Sequence, residues 1–293
     1  PAGAAIWSSP TIDPSRGVLY VATGDSYSDA PNTGSDSVMA MDLNTGKVRW
    51  SRQITMDDNY LVGCTGQTGQ PAACPRTVGD DFDFGASPVL RELPDGRAVL
   101  MAGQKSGAVT ALDPDRKGKV LWQTQVGLGG PLGGIEWGMA ADRDVLFVPI
   151  ADPYAPKDKA KRGMYGLDIR SGRILWSNPA PEPDCAVAPK GSLINICTSG
   201  LSSAPTTIDG LAIEGSMDGF LRAYDAKTGK VAWSFDLGQA HFTPLNALEP
   251  MKGDTMNAAG ATVAGGALFQ MSGYQTSNPN APDLLLAFTV DGR

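Results

Sequence analysis

The stretch Ala40-Met-Asp42-Leu-Asn-Thr45-Gly46-Lys47-Val-Arg-Trp50 decides how this chain is read, because it recurs. It returns as Ala111-Leu-Asp113 through Trp122, with one extra residue in the turn, and as Gly166-Leu-Asp168-Ile-Arg-Ser-Gly172-Arg-Ile-Leu-Trp176. A fourth copy is Ala223-Tyr-Asp225-Ala-Lys-Thr-Gly229-Lys-Val-Ala-Trp233, and a fifth begins at Leu286-Ala-Phe-Thr-Val-Asp-Gly292. Each copy is a turn between two short apolar runs. The Asp or Thr side chain can bond the local backbone, and Gly accepts a positive φ. The flanks therefore read as an antiparallel hairpin. Two further strands are expected upstream of each hairpin. The first copy displays all four, at Ser8–Ile12, Gly17–Thr23, Ser37–Asp42 and Lys47–Ile54. Four antiparallel strands recurring at roughly 45–60 residues describe a β-propeller blade. The repeat Trp is then a plug between blades.

Composition agrees with an all-β chain. Among 293 residues there are 36 Gly and 22 Pro, and 42% are hydrophobic. Ala98–Ala102 and Val145–Ile150 are further short β-rich runs bounded by turn residues. The chain is too apolar for disorder. It has no run near the roughly 18 apolar residues of a membrane-spanning helix. Its net charge of −7, with scattered Lys and Arg, argues against nucleic-acid binding. His241 is the single histidine, which weighs against a Ser-His-Asp hydrolase and excludes a zinc site built from several His. Four Cys permit three pairings, and short loop spacing favours Cys64–Cys74 and Cys185–Cys197. Disulfides would imply an oxidising compartment. No Cys-x-x-Cys-His occurs, so a c-type haem would have to lie outside this segment.

These repeats divide residues 1–293 into one partial propeller domain. Its approximate blades are 4–56, 83–128, 135–180, 201–238 and 257–293, with Cys-bearing insertions at 57–82 and 181–200. Five blades could close a ring. The first unit, however, begins at its innermost strand, and the last stops before its outermost. The chain also starts at Pro1. The expectation is the C-terminal part of a larger propeller, whose N-terminal blades would be its immediate partner.

The repeat resembles the blade motif of the pyrroloquinoline quinone (PQQ) dependent, or quinoprotein, alcohol dehydrogenases, which are eight-bladed propellers. Non-catalytic propellers, such as the outer-membrane-protein assembly lipoprotein, share the motif, so residues outside it must discriminate. Trp7-Ser-Ser-Pro-Thr-Ile-Asp-Pro14 through Gly24-Asp25 resembles the stretch that in this family carries the aromatic floor under the cofactor and an oxygen ligand to Ca²⁺. The resemblance thus implies those roles for Trp7 and Asp25, with Asp25 where Asn is frequent. Asp80-Asp-Phe-Asp83-Phe84-Gly85 resembles the aromatic-Asp-aromatic signature, which implies that Asp83 is the catalytic base beside the metal. Lanthanide-using members carry an Asp where Gly85 stands, so Ca²⁺ is the implied ion. Lys105 falls where the family places a cation against the quinone carbonyl. Glu136-Trp137 falls where many members have Asn-Trp at the cofactor rim.

Within the family, the Gly133–Met139 and Asp81–Pro88 runs and the Cys-bearing insertions are similar to the polyvinyl-alcohol dehydrogenase branch. The resemblance implies PQQ- and Ca²⁺-dependent oxidation of secondary alcohols, polyvinyl alcohol or a similar polyol. Electrons would pass to a cytochrome c or another acceptor, in a periplasmic or secreted location. Plainer readings stand beside these. Trp7 would be core, Asp25 a turn cap, Asp83 a loop residue and Lys105 an exposed turn residue. Asp80 and Asp81 read as solvated, and Asp152, Ser216 and Ser272 as further strand ends around the axis. The rival function is a non-catalytic scaffold for protein interaction. A hydrolase or lyase on a propeller has little support.

Overall fold

The computed structural model describes residues 3–64, 71–184, 198–246, 249–257, 260–273 and 283–290. Four antiparallel sheets follow one another, each a four-stranded meander in chain order. The first holds β1 (Thr11–Asp13), β2 (Val18–Ala22), β3 (Ser37–Asp42) and β4 (Val48–Gln53). The second holds β5 (Val89–Glu92), β6 (Ala98–Gly103), β7 (Ala108–Asp113) and β8 (Lys119–Gln125). The third holds β9 (Ala140–Asp142), β10 (Val145–Ile150), β11 (Gly163–Asp168) and β12 (Ile174–Pro179). The fourth holds β13 (Thr206–Ile208), β14 (Leu211–Gly215), β15 (Phe220–Asp225) and β16 (Val231–Asp236). A hairpin of β17 (His241–Phe242) and β18 (Met251–Lys252) leads to a fifth sheet of β19 (Thr262–Ala264), β20 (Ala267–Ser272) and β21 (Leu284–Thr289). Among the described residues the one helical piece is a 3-10 turn at Pro114–Arg116.

The sheets are propeller blades. Their short first strands meet: β5 touches β9, β9 touches β13, and β13 touches β19. Threonine hydroxyls join the blades there. Thr11 Oγ1 donates to Pro88 O at 2.5 Å, Thr207 Oγ1 to Ala141 O at 3.4 Å, and Thr206 Oγ1 to Ala261 O at 2.5 Å. The fourth strands face water.

The middle strands are buried on both faces, which is why they read as unbroken apolar runs rather than alternating ones. Because side chains alternate across a strand, β6 serves two cores at once. Leu100 and Ala102 pack with Tyr20, Ala22 and Val38 of the first blade. Val99 and Met101 pack with Leu146, Val148 and Ile150 of the third. Phe147 of β10 points the other way, into a cluster with Ala212 and Tyr224 of the fourth blade.

The repeat motif closes each interface. Asp42 Oδ1 accepts from the backbone N–H of Thr45 at 2.9 Å and from its hydroxyl at 2.9 Å, and Asp225 holds Thr228 the same way at 2.8 and 2.7 Å. The following glycine sits at φ +68° in Gly46 and +69° in Gly229, where a side chain is strained. The Trp pairs across the hairpin with the small first residue of its motif: Trp50 with Ala40, Trp122 with Ala111, Trp176 with Gly166 and Trp233 with Ala223. It then reaches the next blade. Trp122 Nε1 donates to Ile169 O at 3.0 Å, and Trp176 Nε1 donates to Ala226 O at 2.9 Å. Trp233 meets Phe288 edge-on at 6.0 Å.

Candidate functional site

Several loops converge on one centre. Trp7 precedes β1, Asp25 follows β2, Asp83 precedes β5, Lys105 lies in the β6–β7 turn, and Glu136-Trp137 precede β9. Two glycines let these loops approach. A Cβ on Gly24 would strike the Asp83 carboxylate, and one on Gly85 would strike the Trp7 ring and lie 2.6 Å from Glu136 O.

Asp83 is the junction. Its Oδ1 accepts from Asp25 N at 2.6 Å, and its Oδ2 accepts from Lys105 Nζ at 2.9 Å. Its carbonyl accepts from Lys105 N at 3.0 Å. Lys105 Nζ also donates to Asp81 Oδ1 at 2.9 Å and stands 5.3 Å from the centre of the Trp7 ring. Trp137 meets Trp7 edge-on at 5.3 Å. Trp137 is held in turn by Asn257 Oδ1, which accepts from Trp137 Nε1 at 2.9 Å and from Ser202 Oγ at 2.7 Å.

Asp25, Asp81, Asp83, Lys105 and Glu136 are all buried. The expectation that Asp81 is solvated is therefore overturned: the turn that precedes β5 folds it inward onto Lys105. A second acid unseen in the sequence is Asp58. It is buried, and its two oxygens accept from Asp81 N at 3.2 Å and Phe82 N at 2.7 Å. Asp81 itself is at φ +61°. The pairing of Asp57 with Asp58 and of Asp80 with Asp81 in a polar segment hid both residues as surface acids; no local pattern marks them.

The other candidates have backbone duties or lie apart. Asp152 clamps Leu128 N, Gly129 N and Lys161 N. Ser216 bonds Asp218 and Phe220 O, and Ser272 bonds Asp254 O. His241 is exposed.

The electrostatics separate the acids. Burial works to raise the Asp83 pKa, but the charge and hydrogen bond of Lys105 outweigh it and hold Asp83 below the usual carboxylate value. Burial and the adjacent Asp83 charge push Asp25 up to about 8. Burial pushes Asp81 up to about 7 against Lys105, and Glu136 up to about 8. Burial pulls Lys105 down, but Glu136, Asp83 and Asp81 overcome this and keep it firmly charged. One carboxylate is thus ionised beside one ammonium, amid acids that retain protons near neutrality.

A cavity of about 300 Å³ opens onto this centre, lined by Asp25, Asp81, Asp83 and Lys105 together with Tyr27, Tyr60, Leu61 and Val62. Trp7, Glu136 and Trp137 lie outside that lining. Asp25, Asp81 and Asp83 each offer an oxygen within 4.8 Å of the others. Asp25 Oδ2 and Glu136 Oε2 are buried without hydrogen-bond partners. Such a hard-oxygen set, with an unsatisfied member, fits an oxygen-preferring dication.

Cys64 and Cys74 are joined, with Cα atoms 5.6 Å apart, in the segment that returns from β4 to Asp81. Cys185–Cys197 lies outside the described residues. Among the described residues no helix is long and apolar enough to cross a membrane.

Comparison with known proteins follows the same lines. A family model described as outer membrane protein assembly factor BamB matches residues 104–272. One described as glucose/ethanol/alcohol dehydrogenase, beta-propeller domain, matches residues 1–61. A polyvinylalcohol dehydrogenase of Pseudomonas sp is 46% identical over 302 residues, covering 100% of this chain and 45% of the relative. A second, of Sphingopyxis sp. (strain 113P3), is 41% identical over 304 residues, covering 100% of this chain and 46% of the relative. The chain spans about half the length of the curated relatives it matches. Among solved structures, the quinohemoprotein alcohol dehydrogenase from Comamonas testosteroni shares the fold with a TM-score of 0.63 at 18% identity, over 100% of this chain and 49% of that one.

Proposed function

We propose, on the premise that the chain belongs to the PQQ-dependent alcohol dehydrogenase-like β-propeller family, that the Asp83–Lys105 pocket is part of an alcohol-oxidising centre. The observation that carries this reading is the Asp83 carboxylate clamped between Asp25 N and Lys105 Nζ on the wall of an open cavity. A base must be deprotonated and within reach of its proton donor. Lys105 secures the first condition and the cavity the second.

Asp83 takes the proton of the alcohol hydroxyl. Lys105 balances the charge on Asp83 and, with the N–H not given to Asp81 or Asp83, stabilises negative charge developing on an oxygen beside it. Asp25, Asp81 and Asp83 would hold Ca²⁺, and Trp7, Lys105, Glu136 and Trp137 would bound the quinone. When bound, PQQ supplies the two-electron acceptor and Ca²⁺ a Lewis acid, while the protein supplies orientation and electrostatics. Gly85, with no room for a side chain against Trp7, supports Ca²⁺ over an ion needing a further carboxylate at that position. The substrate is a secondary alcohol, polyvinyl alcohol or a similar polyol, by likeness to the relatives so named. Electrons leave to a cytochrome c or another acceptor, and the setting is periplasmic or secreted. The Cys64–Cys74 bond supports that setting.

The test is reconstitution. The full-length protein is titrated with PQQ and Ca²⁺, then given a secondary alcohol or polyvinyl alcohol and an artificial electron acceptor. Dye reduction that requires both additions is the expected result. Failure of the folded protein to bind PQQ would overturn the reading in favour of the interaction scaffold that the BamB-type match over residues 104–272 favours.

A further inference from the structure

The cavity at the candidate site has two unlike walls. One is ionisable: Asp25, Asp81, Asp83 and Lys105. The other is carbon-rich, made of Tyr27 and three consecutive residues, Tyr60, Leu61 and Val62. Those three belong to the segment between β4 and the Asp81 turn. Val62 is 86% exposed. Exposed aliphatic side chains occur elsewhere on the surface, so exposure alone assigns nothing. The contiguity of apolar residues on the rim of a carboxylate-lined cavity does carry an argument.

This wall is also fixed in place. Asn59 bridges Ser26 as a short parallel pair, with Ser26 N donating to Asp58 O at 3.0 Å and Tyr60 N donating to Ser26 O at 2.8 Å. Gly79 N donates to Asn59 O at 2.8 Å, which brings the far end of the segment back to its start. Cys64 N donates to Leu61 O at 2.9 Å, and Cys64 is bonded to Cys74. Beyond Cys74, Arg76 N and Nε each donate to the Asp29 carboxylate at 3.0 Å. A surface built to move would not be pinned at so many points, and a preformed wall discriminates by shape without paying to order itself.

We infer that Leu61 and Val62 are specificity-determining residues that cover the alkyl flank of the alcohol. This rests on the alcohol-oxidation reading. The polar wall addresses the carbinol group. The carbon wall gives contact only to substrates with hydrocarbon beside that group, and so favours secondary, chain-internal alcohols over ethanol.

The test measures kcat/KM of the reconstituted full-length protein for ethanol and for 2,4-pentanediol, a short secondary 1,3-diol. One apolar side chain lost from a hydrophobic contact alters discrimination by about 10-fold or more. Val62→Ser and Leu61→Ser should each lower the pentanediol-to-ethanol ratio by about that factor, and Val62→Ile should keep it near wild type. Val62 is exposed, so its replacement leaves the fold intact. A ratio unchanged in Val62→Ser and Leu61→Ser, in a wild type that oxidises both alcohols, would overturn the inference and leave the proposed function standing. A wild type that binds PQQ yet oxidises neither of these alcohols nor polyvinyl alcohol would remove both.

Discussion

Removing the Asp58 carboxylate should disable the site while sparing the fold. Asp58 is 4% exposed and accepts from Asp81 N and Phe82 N at 3.2 and 2.7 Å. Asp58→Ala leaves one buried and one half-buried N–H group without that acceptor, at about 1–3 kcal/mol each. The turn they stabilise holds Asp81 at φ +61°, which already costs a residue with a Cβ about 1–2 kcal/mol. The two lost acceptors together, about 2–6 kcal/mol, fall on one stretch of chain, which can relax into the adjacent cavity and relieve the strain at Asp81. The expected outcome is therefore local. Asp81 and Asp83 shift against Lys105, and a displacement near 1 Å costs about 10²-fold in rate. Asp58→Asn keeps one acceptor and turns an N–H₂ toward a backbone N–H, so its loss should be intermediate, near 10-fold. The assay is kcat and KM of the reconstituted full-length protein, with a Ca²⁺ titration and a thermal melt beside it. A wild-type kcat and Ca²⁺ dependence in Asp58→Ala would refute the claim that this carboxylate positions the base. A collapse of Tm without a folded variant would refute the claim that the cost is local.

Three further outcomes are expected of the same fold. Asp83→Asn should cut turnover by at least 10³-fold while leaving PQQ binding largely intact, as read by cofactor titration; a retained rate would remove Asp83 as the base. Glu214 is fully buried with one oxygen unpartnered, and burial raises its pKa well above the usual value, so the folded state keeps its proton. Its contribution is intact below the unfolded carboxyl value of about 4.3 and is lost at about 1.4 kcal/mol per pH unit as pH rises toward the folded value. Glu214→Gln should thus gain Tm relative to wild type as pH rises above about 5, and a constant difference would contradict the assignment. Gly46 and Gly229 share φ near +70°, but only Gly229 lies against a neighbouring blade's tryptophan, Trp176. Gly46→Ala should cost about 1 kcal/mol and Gly229→Ala about 2–4 kcal/mol by chemical denaturation; equal costs would mean that the Trp is not an inter-blade plug.

The blades were legible because the information is local and repeated. Asp, Thr and Gly of each turn act within a few residues of one another, and the Trp lies across its own hairpin from Ala40, Ala111, Gly166 or Ala223. The doubly buried middle strands appear as apolar runs for the same reason. Asp83 and Lys105 were singled out only through resemblance, and the structure brings them to 2.9 Å of each other. Asp58 and Asp81 were not. Each sits beside another Asp in a polar segment, which is the usual appearance of a solvated loop. What buries them is a long-range return of the chain: Gly79 closes onto Asn59, and Lys105 arrives from the next blade. No local pattern encodes either event.

That return also explains why the insertion between the first two blades matters chemically. A loop that merely decorated the propeller would leave Asp81 and Asp83 on the surface, ionised and screened. Here the same segment contributes Asp58 beneath the Asp81–Phe82 backbone, Asp81 on the Lys105 ammonium beside Asp83, and the apolar residues of the cavity lining. Its effect is to crowd carboxyl groups around a single ammonium. Lys105 feels Glu136, Asp83 and Asp81 together, while Asp25 feels Asp83 and Asp81 at close range. Lys105 bonds both Asp81 and Asp83 at 2.9 Å, and of the two only Asp83 also accepts from Asp25 N, which favours its charged form. The others stay protonated only because burial makes their charged forms expensive. An arriving dication reverses that balance, since it pairs with ionised oxygens and releases their protons. Affinity for the ion should therefore rise with pH through the range near 7 to 8 in which Asp81 and Asp25 titrate, and a pH-independent affinity would place the ion elsewhere.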